Sequence, residues 1–174
     1  MIKLYKYMSY TSNPKKTDFQ CVKEFNEVFG NPVHNKVQND IFDKEPKIVE
    51  KCVALIREEF HELEDAVKDK DMVETADALG DLIVVVQGMA CHLGLDLDEV
   101  FRQVHESNMS KICQTEEEAK ETVKKYEEND DRYDSPDYRP TGDGRFVVFN
   151  KSTGKILKSH KYKPVDLTWV KKSN

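Results

Sequence analysis

Acidic side chains at helical spacing are the residues of this sequence best suited to chemistry. Three glutamates fall within Glu58-Glu59-Phe60-His61-Glu62, and Glu74, Asp77 and Asp81 follow at steps of three and four. Residues three or four apart lie on one face of an α-helix. Carboxylate oxygens are the ligands that Mg²⁺ prefers, and a metal held by them can activate water and neutralise phosphate charge. The spacing therefore predicts a divalent metal site shared by two helices.

Helical geometry gives these carboxylates different directions. At about 100° per residue, Glu59 falls in the apolar arc of its helix, Glu62 lies at the edge of that arc, and Glu58 points further out. On the following helix, the acidic strip continues into an apolar strip. Burying an unpaired carboxylate costs several kcal/mol, so we expect a cation to offset the charge. The alternative, a solvated acidic face, better describes other acids such as Glu64 and Asp65.

Composition limits the classes of partner. The chain has 174 residues, 38% of them hydrophobic, which suits one globular domain. A net charge of −6 without a basic stripe argues against a nucleic-acid partner. No uninterrupted apolar run approaches the roughly 18 residues of a membrane span, so we expect no membrane partner and a cytoplasmic protein. Four widely spaced cysteines without a CxxC pair predict buried free thiols.

Hydrophobic periodicity predicts five helices connected by loops. A run of β-branched residues in the third helix could be a buried strand in isolation, but its length and flanking pattern favour a helix. The fifth helix is charged nearly throughout, so we expect it to be solvated or to pack on a partner. The helices are predicted at about 15–29, 46–67, 72–93, from Asp96 or Asp98 through Val104, and 115–128, with a long loop at 31–45.

The remaining sequence predicts a small β-structure. Residues 146–149 and 155–158 flank a glycine-containing turn at 150–154, a pattern typical of a hairpin. We therefore predict an all-α helical bundle with a small C-terminal β-hairpin, in a single domain covering 1–174. Its helical core spans about 15–128, an acidic loop spans 129–144, and the hairpin and tail span 145–174. The third helix is too apolar for one chain to cover, so we expect homo-oligomerisation to complete the core.

The acidic motif resembles that of the all-α nucleoside triphosphate pyrophosphohydrolases, which include MazG proteins, dimeric dUTPases and phosphoribosyl-ATP pyrophosphohydrolases. Their signature is EExxE on one helix and ExxD on the next, and Glu58 to Glu62 matches the first part in full. Further blocks are similar to a MazG-like subgroup that hydrolyses dUTP or other dNTPs. These blocks cover 94–101, 104–111, 153–158 and 162–164.

The resemblance implies a MazG-like fold and hydrolysis of nucleoside triphosphates to monophosphate and pyrophosphate. The expected substrates are dNTPs such as dUTP, dCTP or non-standard nucleotides, and the expected cofactor is Mg²⁺, with Mn²⁺ as an alternative. A homodimer or homotetramer is expected, as in the family. The rival interpretations are a non-catalytic nucleotide sensor and a di-iron bundle. A di-iron bundle would need a second ExxH motif, and the helical segments contain one, Glu58 to His61.

The resemblance also implies a role for each candidate residue. Glu58 would position or deprotonate the attacking water, and aromatic and polar groups would hold the base. No role is assigned to the histidines of the helices. The expected metal ligands are Glu59, Glu62, Asp77 and Asp81, with Glu74 as a further candidate. Asn108, Lys111, Lys155, Lys158 and Tyr162 would bind the phosphates, and Phe25 with Asn26 would line the base pocket.

One position departs from the family pattern. Three residues before Asp81, where the pattern has glutamate, this chain has Ala78. Either Asp77 supplies the missing carboxylate, or Glu74 to Asp77 is itself the working ExxD. The distance from Asp81 to the glycine that ends the third helix fits the family better, which favours the first interpretation.

Overall fold

A computed structural model describes residues 16–129 and 132–172. These residues fall into two compact units, 16–98 and 99–172; the single domain expected over 1–174 stays a prediction. The all-α bundle with a small C-terminal hairpin is confirmed. The helices are α1 Asp18–Val28, α2 Ile41–Lys44, α3 Pro46–Asp69, α4 Met72–Leu93, α5 Leu97–Met109 and α6 Glu116–Asn129, and the strands are β1 Pro136–Pro140 and β2 Phe146–Asn150, followed by a 3₁₀-helix at Thr168–Lys172.

A tight connection joins α3 to α4. Lys70 adopts the left-handed conformation that ends α3, with φ 58°. The Asp71 side chain caps α4 by accepting hydrogen bonds from the backbone N–H groups of Val73 (2.9 Å) and Glu74 (3.2 Å). Two helices joined by so short a turn run antiparallel, and α3 packs against α4. The turn therefore brings the acidic segments of both helices to the same end of the helix pair.

The loop at 31–45 packs closely on the end of α4. The backbone N–H of Gln38 donates to the carbonyl oxygen of Leu93 at 2.9 Å. Gly94 has φ 68°, and a Cβ atom there would lie 1.9 Å from the Lys36 carbonyl oxygen, so only glycine fits. The four-residue helix α2 lies inside the predicted loop, and its Ile41 is buried.

The first unit leaves much apolar surface exposed. Its buried residues are mostly small, whereas large side chains of α4 are exposed: Leu79 is 50% exposed and Ile83 49%. By length and mean hydropathy, α4 is the one described helix that could cross a membrane, although the core helix of a soluble protein meets the same criteria.

The hairpin of the second unit differs from the sequence prediction in its partner strand. β2 pairs with β1, inside the predicted acidic loop, in the antiparallel register Pro136↔Asn150 to Pro140↔Phe146. The predicted second strand contributes one bridge, Phe149↔Ile156. Sequence analysis missed β1 because it has proline at both ends and lies in an acidic segment, both of which are typical of a loop.

Helix α6 packs on both strands of its own chain, whereas its charge pattern predicted a helix that is solvated or packs on a partner. Glu118, Ala119 and Thr122 are buried, and Ala119 belongs to a core with Val148 and Leu157. The cysteine prediction holds for three residues, since Cys52, Cys91 and Cys113 are buried free thiols, but Cys21 is exposed.

Candidate active site

Glu59 lies among the acidic residues of α3 and α4. Its side chain is half-buried, and this burial raises the pKa of its carboxyl. The charges of Glu62, Asp81, Glu58 and Asp77 raise that pKa further, in this order. Because Coulomb interactions weaken with distance, these four carboxylates share the neighbourhood of Glu59. Two of them come from each helix, so the α3 and α4 acids form one acidic cluster.

The described part of the chain provides no cation that pairs with this cluster. Among the described residues, none of its carboxylates forms an ion pair with a lysine, arginine or histidine. Within the ranges described, no three potential ligands already form a metal-binding group. The outer acids are exposed and their side chains can change rotamer. An oxygen-only donor set that carries uncompensated negative charge fits a hard divalent cation. We define the acidic cluster as Glu58, Glu59, Glu62, Asp77 and Asp81.

The structure shows the surroundings of Ala78, the position at which the family pattern has glutamate. Ala78 is 4% exposed, so a glutamate side chain at this position would have its first atoms buried. Asp77 and Asp81 both act on the Glu59 pKa, whereas Glu74, which is exposed, is absent from the groups that do. This placement supports Asp77 with Asp81 over the alternative ExxD. The roles of all these acids as metal ligands, and of Glu58 as the base, stay predictions.

A cavity of about 250 Å³ lies between α1, α3 and α4. Phe25 and Asn26, predicted from the resemblance to bind the base, both line it. Phe25 is 47% exposed and Asn26 is 5% exposed. The Asn26 Nδ2 atom donates to the Val22 carbonyl oxygen at 2.9 Å, which fixes the orientation of the amide. The structure thus places both residues in one apolar pocket.

Sequence analysis assigned no role to His92, which lines the same cavity. Its Nδ1 atom is buried, and no described residue hydrogen-bonds to it. Burial lowers the pKa of His92, and nearby His34 and Lys51 lower it further, against the effect of Glu45. The periodicity of α4, which puts His92 one turn after Gly88, was the only signal that could have pointed to this position.

The predicted phosphate-binding residues belong to the second unit. Lys111 donates to the Asn108 Oδ1 atom at 2.7 Å. The Lys158 ammonium lies 4.5 Å from the centre of the Tyr162 ring, and the Tyr162 hydroxyl is 3.0 Å from the Ser107 hydroxyl. Lys155 instead lies over another aromatic ring, that of Tyr133, at 5.2 Å. Lys111 thus pairs with Asn108 and Lys158 pairs with Tyr162, whereas Lys155 contacts neither pair. Their action on phosphate stays a prediction.

Comparison with known proteins gives two findings. Residues 22–108, half of the chain, match the family model described as phosphoribosyl-ATP pyrophosphohydrolase. The matched segment contains the acidic cluster and every residue that lines the cavity. An uncharacterized protein of Acanthamoeba polyphaga mimivirus is 30% identical, over 88% of this chain and 95% of the relative.

Proposed function

Because the chain belongs to the phosphoribosyl-ATP pyrophosphohydrolase family, in the MazG-like superfamily, and is a nucleotide pyrophosphohydrolase, we propose that it hydrolyses deoxynucleoside triphosphates with Mg²⁺. The products are the monophosphate and pyrophosphate. The preferred substrates are dUTP, dCTP or related non-standard nucleotides, and Mn²⁺ can replace Mg²⁺. Enzymes of this family typically depend on a divalent metal.

The observation that carries this proposal is the acidic cluster. Burial and four neighbouring carboxylates all act to raise the pKa of Glu59, and no described cation pairs with any member of the cluster. Such repulsion has no structural benefit unless a ligand offsets it. A divalent cation that carries a triphosphate would neutralise both the protein and the substrate charges.

Each residue of the site has one proposed task. Glu59, Glu62, Asp77 and Asp81 supply oxygen ligands, and bound Mg²⁺ would neutralise phosphate charge and lower the pKa of a water ligand. Exposed Glu58 accepts the proton of the attacking water. The water oxygen bonds to the α-phosphorus, and the bond from that phosphorus to the bridging oxygen breaks. The bridging oxygen leaves with pyrophosphate.

The lysines named from the family resemblance supply positive charge for the phosphates in this proposal. Lys111, oriented by Asn108, binds a phosphate oxygen as a point charge. Lys158 and Tyr162, which already contact each other, close over the phosphate chain. Lys155 is the weakest member of this set, because its ammonium lies over the Tyr133 ring.

A second copy of the chain completes the fold in this proposal, as a homodimer or homotetramer. Support comes from the exposed face of α4, where Ile83 and Val86 are 49% and 43% exposed. Contiguous exposed apolar surface marks interaction sites in proteins. Burying this face against its own copy would stabilise the helix that carries Asp77 and Asp81.

The test is a panel of deoxyribonucleoside and ribonucleoside triphosphates, incubated with the full chain and Mg²⁺. We expect pyrophosphate release from at least one pyrimidine deoxynucleotide, and its loss when EDTA removes the metal. Release of inorganic phosphate in place of pyrophosphate, or no turnover of any nucleotide, would contradict the proposal.

A further inference from the structure

We propose that His92 determines which base the enzyme accepts, through a hydrogen bond between its Nδ1 atom and the polar edge of a pyrimidine in the cavity between α1, α3 and α4. This inference rests on the proposed function, because it assigns a base to the triphosphate that the acidic cluster would bind. It adds a specificity residue that neither the sequence motifs nor the family match identifies.

The cavity continues directly from the acidic cluster along both helices. Leu55 of α3 lies one turn before Glu59, and Val85 of α4 lies one turn after Asp81, and both apolar residues line the cavity. His92 lies at its far end, about 16 Å of helix beyond Asp81 at 1.5 Å per residue. A nucleotide with its phosphates at the cluster would therefore extend its base toward His92.

The walls and polar atoms of the cavity suit a flat heterocycle. Most of the lining is apolar, with Leu55, Val84 and Phe25 available to contact the faces of a ring. Asn26 uses its Nδ2 atom on the Val22 carbonyl, which leaves its Oδ1 atom as an acceptor. Ligand pockets commonly combine apolar walls with a few placed polar groups, and Asn26 with His92 would be those groups here.

The His92 Nδ1 atom is the most specific part of this arrangement. It is buried, and the described residues offer it no hydrogen-bond partner, so a base in the cavity reaches it by rotation of the imidazole about its broad χ2 torsion. An unsatisfied buried nitrogen is unfavourable in the protein alone, and such groups call for a functional reason. Burial also lowers the pKa of His92, so the ring is neutral at pH 7 and can pair with a neutral base edge.

The experiment compares dUTP with its triphosphate isostere carrying difluorobenzene, which keeps the shape of uracil but hydrogen-bonds weakly. The ratio of their kcat/KM values measures how well the enzyme discriminates the natural base from the isostere. The ratio of the dissociation constants of the two corresponding monophosphates, measured without metal, gives the same discrimination independently of turnover. We expect His92→Leu to reduce both ratios about 10- to 100-fold. His92→Asn, which places an amide near the Nδ1 position, should keep most of the discrimination.

The matched control is His105→Leu, which removes an exposed histidine and should leave both ratios unchanged. Wild-type ratios in His92→Leu would overturn the inference, and equal losses in the Leu and Asn variants would overturn the assignment to Nδ1. If no triphosphate is hydrolysed, the proposed function fails, and the monophosphate binding ratios still decide the role of His92.

Discussion

Asp81 of α4 raises the pKa of Glu59 of α3, so two carboxylates on separate helices repel each other across the helix pair. The short turn after Lys70 creates this proximity, because it makes α3 and α4 antiparallel neighbours. The fold thus brings together the carboxylates proposed to bind a divalent cation, at a cost to the metal-free protein.

Asp81→Asn should stabilise the metal-free chain by a few tenths of a kcal/mol, because it removes this repulsion. Folding raises the Glu59 pKa above its usual 4.5, so the native state binds more protons, and stability falls as pH rises through and above that value. The benefit of the variant should therefore be larger well above pH 4.5. Urea denaturation in EDTA, at a pH near 4.5 and at a pH well above it, measures the free energy of unfolding of the variant and the wild type.

The control for this prediction is Asp65→Asn, an exposed acid of α3 outside the acidic cluster, which should show no such pH dependence. Added Mg²⁺ should reverse the order, and the wild type should gain more stability than Asp81→Asn. A metal-free Asp81→Asn variant that is less stable than wild type at every pH would contradict the repulsion.

Lys111→Met should lower kcat/KM for the triphosphate about 10- to 100-fold, the usual effect of losing a charge-assisted hydrogen bond. Asn108→Ala should act in the same direction but less strongly, since Asn108 orients the lysine at 2.7 Å. Lys124→Met, at an exposed lysine of α6, is the matched control. Steady-state kinetics that show no difference between Lys111→Met and Lys124→Met would remove Lys111 from the site.

Ile83→Glu should shift the protein to a monomer, because it places a charge on the exposed apolar face of α4. Ile156→Glu is the matched control, at an isoleucine of similar exposure, 42%, in the second unit. Size-exclusion chromatography with light scattering gives the mass directly. A wild-type chain that is monomeric at micromolar concentration would refute the proposed oligomer.

Glu118→Gln should destabilise the second unit by about 1.5–3 kcal/mol at neutral pH. Burial alone would raise the Glu118 pKa, but hydrogen bonds from the Ser159 hydroxyl and the Gln114 N–H, with the Lys161 charge, outweigh burial and lower it. A carboxyl with a lowered pKa stabilises the fold above its unfolded pKa of about 4.5, and that contribution is lost as pH falls.

Denaturation curves at neutral and acidic pH check this prediction. The gap between wild type and Glu118→Gln should narrow in acid, and the neighbouring exposed acid provides the control as Glu117→Gln. A constant gap across the pH range would show that the charge of Glu118 contributes nothing to stability.

The helices could be predicted from sequence because their signals are local. Pro46 opens α3, Gly94 ends α4, and hydrophobic periodicity marks the segments between them. Strand β1 and the burial of α6 could not be predicted in this way. β1 depends on pairing with β2, and the partners of Glu118 include Ser159, far along the chain.

The candidate site, too, could be predicted from sequence only in part. The acids of each helix follow from spacing, and their proximity follows from two antiparallel helices. His92 escaped sequence analysis because its distinguishing property, a buried Nδ1 atom without a partner, arises only from packing between α1, α3 and α4. This property of His92 is therefore a feature of tertiary packing.

The most direct test of the account compares pyrophosphate release by Glu59→Gln and Glu64→Gln, with Mg²⁺ and the best nucleotide of the panel. Both variants remove one charge from α3, but Glu64 is exposed and does not contribute to the Glu59 pKa. We predict that Glu59→Gln loses at least about 100-fold in kcat, in line with the loss of an electrostatic catalytic group, while Glu64→Gln keeps wild-type activity. Equal activity in the two variants would contradict a metal centre at Glu59.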